Sequence, residues 1–243
     1  MNTRKANTPL HIGIVACSAE GAALCYRTIC GEGAAVLGPH AHPEVSMHTH
    51  PLSAYVACLD RNDLAGVGAL MLSSARKLAS AGANFLICPD NTIHQALPFV
   101  QPGSPLPWLH IAEVVAAEAA ARGFKRLGLT GTRWLVESDV YPDKLARHGI
   151  ACVRPGERER QEISRIIMDE LVCGVFEPVG VAYFQRVIQG LQQQGCDAVV
   201  LGCTEIPLII NDQNSVLPTL DSTRLLARAA LRRAIAGNLH DVT

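Results

Sequence analysis

Neither sign of charge dominates this chain. Against 21 lysines and arginines stand 22 aspartates and glutamates, for a net charge of −1. The composition therefore gives no electrostatic footprint of a nucleic-acid or membrane-surface binder. Long hydrophobic runs are missing too: none approaches the ~20 residues that a transmembrane helix needs. The start, MNTRKANTPLHIGIVAC, has basic residues but no adequate apolar core before Gly13, and reads as a short tail rather than a signal peptide. No glycine-rich phosphate loop occurs, so neither a nucleotide nor pyridoxal phosphate is suggested, and no cofactor is expected. Aromatic residues are few, at 5%. The nine cysteines include no CxxC pair, and their number is odd. Free, mostly buried thiols in a reducing cytoplasm are the expectation.

What is present is an ordinary α/β composition, 49% hydrophobic and 18% charged over 243 residues. That length suits one large domain or two of roughly 120 residues. An internal repeat favours two. GANFLICPDNT (Gly82 to Thr92) aligns without gaps on GCDAVVLGCTE (Gly195 to Glu205), which sets Asp90 opposite Cys203. HIGIVAC (His11 to Cys17) aligns on RLGLTGT (Arg126 to Thr132), which sets Cys17 opposite Thr132. Each half alternates short β-rich runs with longer helical patterns. Strands are expected near 11–16, 84–88 and, less regularly, 44–48, then near 126–130, 150–153 and 197–201. Helices are expected near 19–30, 64–81, 134–148, 157–173 and 179–194, with a last one over 222–236. The segment Pro98 to Pro107 carries four prolines and reads as an irregular connection.

This alternation predicts an α/β fold of two pseudosymmetric three-layer αβα halves with parallel sheets, 1–115 and 116–221, with helix 222–236 packing back on the first. Open parallel sheets bind ligands beyond the carboxyl ends of their strands. Asp90 and Cys203 both lie at such ends, facing one cleft. Two acid/base groups on opposite faces of one carbon suit stereoinversion, one taking a proton and the other returning one. Backbone N–H groups at Asn91–Thr92 and Thr204–Glu205 are placed to hold a carboxylate. Asp90 also reads as a helix N-cap, because PDNT is a plausible helix start. His94, one turn later, is placed to orient Asp90 or simply to pack on the sheet. Ser18 follows the first strand and is a candidate substrate contact. The run PHAHPEVSMHTHP, with His40, His42, His48 and His50, is better read as a loop rimming the cleft than as a metal site, given its prolines and the lack of an acidic pair beyond Glu44.

Three pieces carry a resemblance to the aspartate/glutamate racemase family: PDNTIH (Pro89 to His94), GLTGTRWLVES (Gly128 to Ser138) and LGCTEIP (Leu201 to Pro207). The resemblance implies a cofactor-independent enzyme with a catalytic thiol at Cys203. It also implies substrate-carboxylate contacts from Asn91, Thr92, Thr132 and Thr204. Two-thiol members have cysteine where this chain has Asp90. Glu205 resembles the aspartate-racemase branch. Near His50 some members present an arginine to the distal carboxylate; Thr49 and His50 are the candidates here. The reading is a racemase or epimerase of an aspartate- or glutamate-like amino acid, a cytoplasmic homodimer acting on a small molecule, with Asp90 and Cys203 catalytic. Two alternatives stay open: an isomerase, lyase or decarboxylase of a small carboxylic acid using Cys203 as sole thiol, and a non-enzymatic small-carboxylate binder.

Overall fold

The structure, a computed structural model, describes residues 8–236. The chain runs β1 (Ile12–Ala16), α1 (Ala19–Leu37), β2 (Val45–Thr49), α2 (Leu52–Asp60), α3 (Leu64–Ser80), β3 (Phe85–Ile87), α4 (Leu97–Val100), β4 (Trp108–Leu109) and α5 (Ile111–Ala121). It continues through β5 (Arg126–Thr130), α6 (Arg133–Val136), α7 (Pro142–Ala146), β6 (Ala151–Val153), α8 (Glu157–Arg165), α9 (Pro178–Gln193), β7 (Ala198–Leu201), β8 (Thr219–Asp221) and α10 (Ser222–Ala236). The strands form two all-parallel sheets, ordered β2-β1-β3-β4 and β6-β5-β7-β8. Strands such as IGIVA and AVVL are buried along their whole length, as a parallel sheet covered on both faces requires. Among the described residues no helix is long and apolar enough to cross a membrane.

The register bears out the repeat. Ile12 pairs with Phe85 in one sheet, and Leu127 pairs with Ala198 in the other; these are equivalent positions in the gapless alignment. The strand entrances match as well. His11 N donates to Asn84 Oδ1 at 2.7 Å, and Arg126 N donates to Asp197 Oδ1 at 3.1 Å. Gly82 and Gly195 end α3 and α9 at φ +93° and +84°, a left-handed turn that glycine adopts without strain.

In each sheet the strand order reverses between the two central strands, β1/β3 and β5/β7. That switch point opens a crevice at their carboxyl ends. On the first sheet, Ile12 and Ile14 share a core with Ile29 of α1 and with Leu226, Ala227 and Ala230 of α10. The opposite face, through Val15 and Leu86, packs on Met71 and Leu78 of α3.

Several elements depart from the sequence reading. Helix α1 runs on past Cys30 to Leu37 and ends at Gly38, at φ +104°; Gly33 within it packs on the returning chain, where any Cβ would sit 2.8 Å from His42. The expected helix 134–148 is two short ones, the second started by Pro142 at its first position. The expected helix 157–173 is α-helical only to Arg165; Ile166–Glu170 widen into a π turn, followed by a 3₁₀ turn at Leu171–Cys173. Within Pro98–Pro107 the chain is not wholly irregular: α4 covers Leu97–Val100, with Pro98 in its first turn. Strands β4 and β8 and helices α2 and α5 complete the fold beyond what the pattern indicated.

Candidate active site

The two switch-point crevices face each other and enclose one cavity. It is lined by Cys17 and Ser18 from the end of β1, Asp90 to Ile93 after β3, Thr132 after β5, and Gly202 to Glu205 after β7. The site therefore draws on four strand ends and on both sheets. Gly202 lets the chain turn into it: a Cβ there would lie 2.5 Å from the Thr130 carbonyl oxygen.

Asp90 and Cys203 are held alike. The Asp90 carboxylate accepts hydrogen bonds from Ile93 N–H, at 3.1 Å, and from Thr92 N–H, two residues on. The Cys203 sulfur receives the N–H of Glu205, again two residues on. Each half thus aims an acid/base group into the same space with equivalent backbone. Asp90 also receives a side-chain hydrogen bond from Cys17. Cys203 Sγ donates to Glu205 Oε2 at 2.9 Å, and Thr204 Oγ1 donates to the same oxygen at 2.6 Å. Both walls of the cavity consequently carry a thiol hydrogen-bonded to a carboxylate.

Desolvation sets the acidities. Asp90 keeps some accessible surface, but burial pushes its carboxyl up to about 6, with the Glu205 charge adding and the Ile93 N–H opposing. Burial raises the Cys203 thiol well above its ordinary value, and the Glu205 carboxylate adds to it. Cys17 is raised in the same way by burial and then by Asp90. At neutral pH the cavity rests with Asp90 mostly ionised and both thiols protonated.

Three hydrogen-bonded bridges tie the halves together across the cavity. The Ser18 hydroxyl donates to Thr204 Oγ1 at 3.0 Å, because the Thr204 proton is already given to Glu205. Thr92 and Thr132 join through their hydroxyls at 2.9 Å. Asn91 accepts from Tyr141 OH at 2.6 Å and donates to Ser222 Oγ at 3.0 Å. The Asn91 side chain is thereby committed to the protein.

His94 does not touch the Asp90 carboxylate. Its Nε2 accepts from Ile111 N, which leaves the proton on Nδ1 to donate to the Asp90 carbonyl oxygen at 2.9 Å. It fixes the loop rather than the reacting group, and burial holds it neutral.

Of the ten residues picked from sequence, Ser18, Asp90, Asn91, Thr92, Thr132, Cys203, Thr204 and Glu205 line the cavity. Thr49 and His50 do not. They border an adjoining hollow that shares Cys17, Ser18, Leu52, Val172 and Glu205 with it. His50 Nε2 lies 3.2 Å from Ser73 Oγ, and Thr49 Oγ1 donates to the His50 carbonyl. No cluster of His, Cys, Asp and Glu among the described residues could hold a metal. Sequence reasoning missed Cys17, whose signal was its place at a strand end opposite Thr132. It also missed the apolar wall of Leu52, Val56, Trp134, Ile167, Met168 and Val172. The π turn at Ile166–Glu170 brings two of these inward, a local distortion of the kind that recurs at functional sites.

Comparison with known proteins agrees with this fold. A family profile described as Asp/Glu/Hydantoin racemase matches residues 12–230. The chain is 24% identical over 169 residues to the broad specificity amino-acid racemase RacX of Bacillus subtilis (strain 168), covering 68% of this chain and 71% of RacX. A crystal structure of a candidate Asp/Glu racemase from Yersinia pestis is 29% identical with a TM-score of 0.85, covering 93% of this chain and 99% of that one. An aspartate racemase homologue from Pyrococcus horikoshii OT3 is 25% identical with a TM-score of 0.78, covering 92% and 98%.

Proposed function

Because the chain belongs to the Asp/Glu/hydantoin racemase family, we propose that it inverts the α-carbon of an amino acid without a cofactor, using Asp90 and Cys203 as its two proton-transfer groups. Membership of a racemase family makes it an isomerase. The observation that carries the finer reading is that Asp90, from the first half, and Cys203, from the second, line one cavity on equivalent loops. A substrate α-carbon held between them exposes opposite faces to the two groups. From the resting state the Asp90 carboxylate takes the α-proton, and Cys203 S–H gives its proton to the other face.

The substrate carboxylate accepts from the Thr92 and Thr132 hydroxyls, in place of their mutual bond, and from N–H groups of the loops after β3 and β7. These donors stabilise the charge that develops on it once the α-proton leaves. The substrate ammonium meets Glu205 and lies near enough to Cys203 to favour its thiolate, offsetting the desolvation that disfavours it. The proposal takes 1–115 and 116–221 as the two halves, with 222–236 returning to the first, and includes the homodimer and cytoplasmic setting read from the sequence.

Cys203→Ser tests the mechanism. Serine keeps the shape but is a far weaker acid, so racemisation should fall by at least about a hundredfold while the thermal unfolding profile stays unchanged. Wild-type turnover in that variant would remove Cys203 from the reaction.

A further inference from the structure

The charges around the cavity are one-sided. Among the described residues lining it, the groups that carry charge are the carboxylates Asp90 and Glu205; there is no lysine, arginine or histidine. Arg133, between the lining residues Thr132 and Trp134 in the chain, lies over the Trp134 ring at 4.9 Å and pairs with Asp60 at 3.5 Å, outside the lining. The adjoining hollow adds Glu20, Met47, Thr49 and His50. Its histidine is disfavoured as a cation by burial and by Lys77.

An α-amino acid brings one ammonium and one carboxylate of its own. The ammonium matches the carboxylates, and the α-carboxylate matches the threonines and loop N–H groups. After that the cavity offers its side chain mainly the wall of Leu52, Val56, Trp134, Ile167, Met168 and Val172. A second carboxylate there would face two anions with no cation to neutralise it. A second ammonium would lie on apolar surface, with Glu205 already accepting from Cys203 and Thr204 and Asp90 from its own loop. An apolar side chain, in contrast, gains roughly fourfold in binding for each methylene buried.

We propose that the preferred substrate is an α-amino acid with an uncharged, apolar side chain, and that the acidic amino acids are poor substrates. This inference rests on the racemase reading and names the substrate class of the same site. It also disfavours a dicarboxylate substrate, which has no ammonium to set against Asp90 and Glu205.

The test is α-proton exchange in D₂O, followed by ¹H NMR, on both enantiomers of leucine, methionine, aspartate, glutamate and lysine with the full-length protein. The best apolar substrate should have a kcat/KM at least tenfold above those of aspartate, glutamate and lysine. An acidic or cationic amino acid turned over as fast or faster overturns the inference and leaves the racemase reading intact. No exchange with any of them overturns both. A second arm places a cation in the wall. Met168→Lys or Val172→Lys, with folding checked by circular dichroism, should move the ratio of glutamate to leucine turnover at least tenfold toward glutamate. An unchanged ratio in both folded variants means that the wall does not meet the side chain, and overturns the inference.

Discussion

Replacing Asp90 by asparagine should abolish inversion and at the same time stabilise the protein, by an amount that depends on pH. The carboxyl titrates near 3.8 when unperturbed and near 6 in the fold, where burial is the main cause. A group whose pKa is raised by folding supports the fold fully below its unfolded value and withdraws that support as pH rises through the folded value. The two values lie roughly two pH units apart, at about 1.36 kcal/mol each, so ionising Asp90 costs the native state about 3 kcal/mol once pH exceeds 7. Most of that cost, about 2 kcal/mol, accrues between pH 4 and pH 7. The asparagine side chain would keep an acceptor for the Ile93 N–H and carry no charge. Urea denaturation at a series of pH values measures the difference directly. The variant should match wild type near pH 4 and exceed it by about 2–3 kcal/mol at pH 8, while losing racemisation at both. A variant that is less stable at pH 8, or whose advantage does not change with pH, would refute the assignment of Asp90 as a desolvated carboxylate.

For both enantiomers alike, kcat/KM should rise with pH through about 6, as the Asp90 carboxyl ionises. Cys17→Ala removes a hydrogen bond that favours the Asp90 anion, so this acid limb should move to higher pH, and Cys17→Ser should restore it. Asn91→Ala takes away the buried acceptor of Tyr141 OH and one donor to Ser222 Oγ, which still donates to the Leu201 carbonyl. It should cost about 1–3 kcal/mol in denaturant unfolding, and a loss below about 0.5 kcal/mol would show that the bridge contributes little to stability.

How much of this was legible follows from range. The central strands and the positions of Asp90 and Cys203 are local signals: an apolar run, a break, then a polar loop, repeated at a constant offset. The two sheet registers match that offset. Strands β4 and β8 are two and three residues long and directly follow Pro107 and Pro218, so nothing periodic marks them. Helix α5, IAEVVAAEAAA, is rich in alanine, which serves both faces of a helix and blurs its pattern. Thr49 and His50 lie at the end of β2, an edge strand separated from β3 by β1, and so reach the neighbouring hollow instead of the switch point. The apolar wall draws on α2, the segment after β5 and the π turn, which are scattered along the chain and joined only by the tertiary fold. Cys17 was visible as a strand-end residue, but its pairing with Asp90 depends on the contact between β1 and β3.

The unlike acids on the two walls lead to a last expectation about isotope flow. Racemisation has an equilibrium constant of one, so kcat/KM must be equal for the two enantiomers however unlike the bases are. The asymmetry falls instead on the enzyme left after each turnover. When Asp90 has taken a proton and Cys203 has given one, the protein holds a neutral carboxyl beside a thiolate. That state is disfavoured relative to the resting one, because desolvation raises the thiol further from neutrality than the carboxyl. It relaxes by losing the Asp90 proton to solvent and regaining one at Cys203. In D₂O the first product molecules should therefore carry deuterium delivered by the group on the far face, which is Cys203 in this direction, while unreacted substrate keeps its original proton. Early-time NMR of either pure enantiomer reads both pools. Deuterium appearing in the substrate pool as fast as in the product would mean that one group serves both faces. The cavity would then work with a single base, and Asp90 would be left as the cap that its bond to Ile93 also makes it.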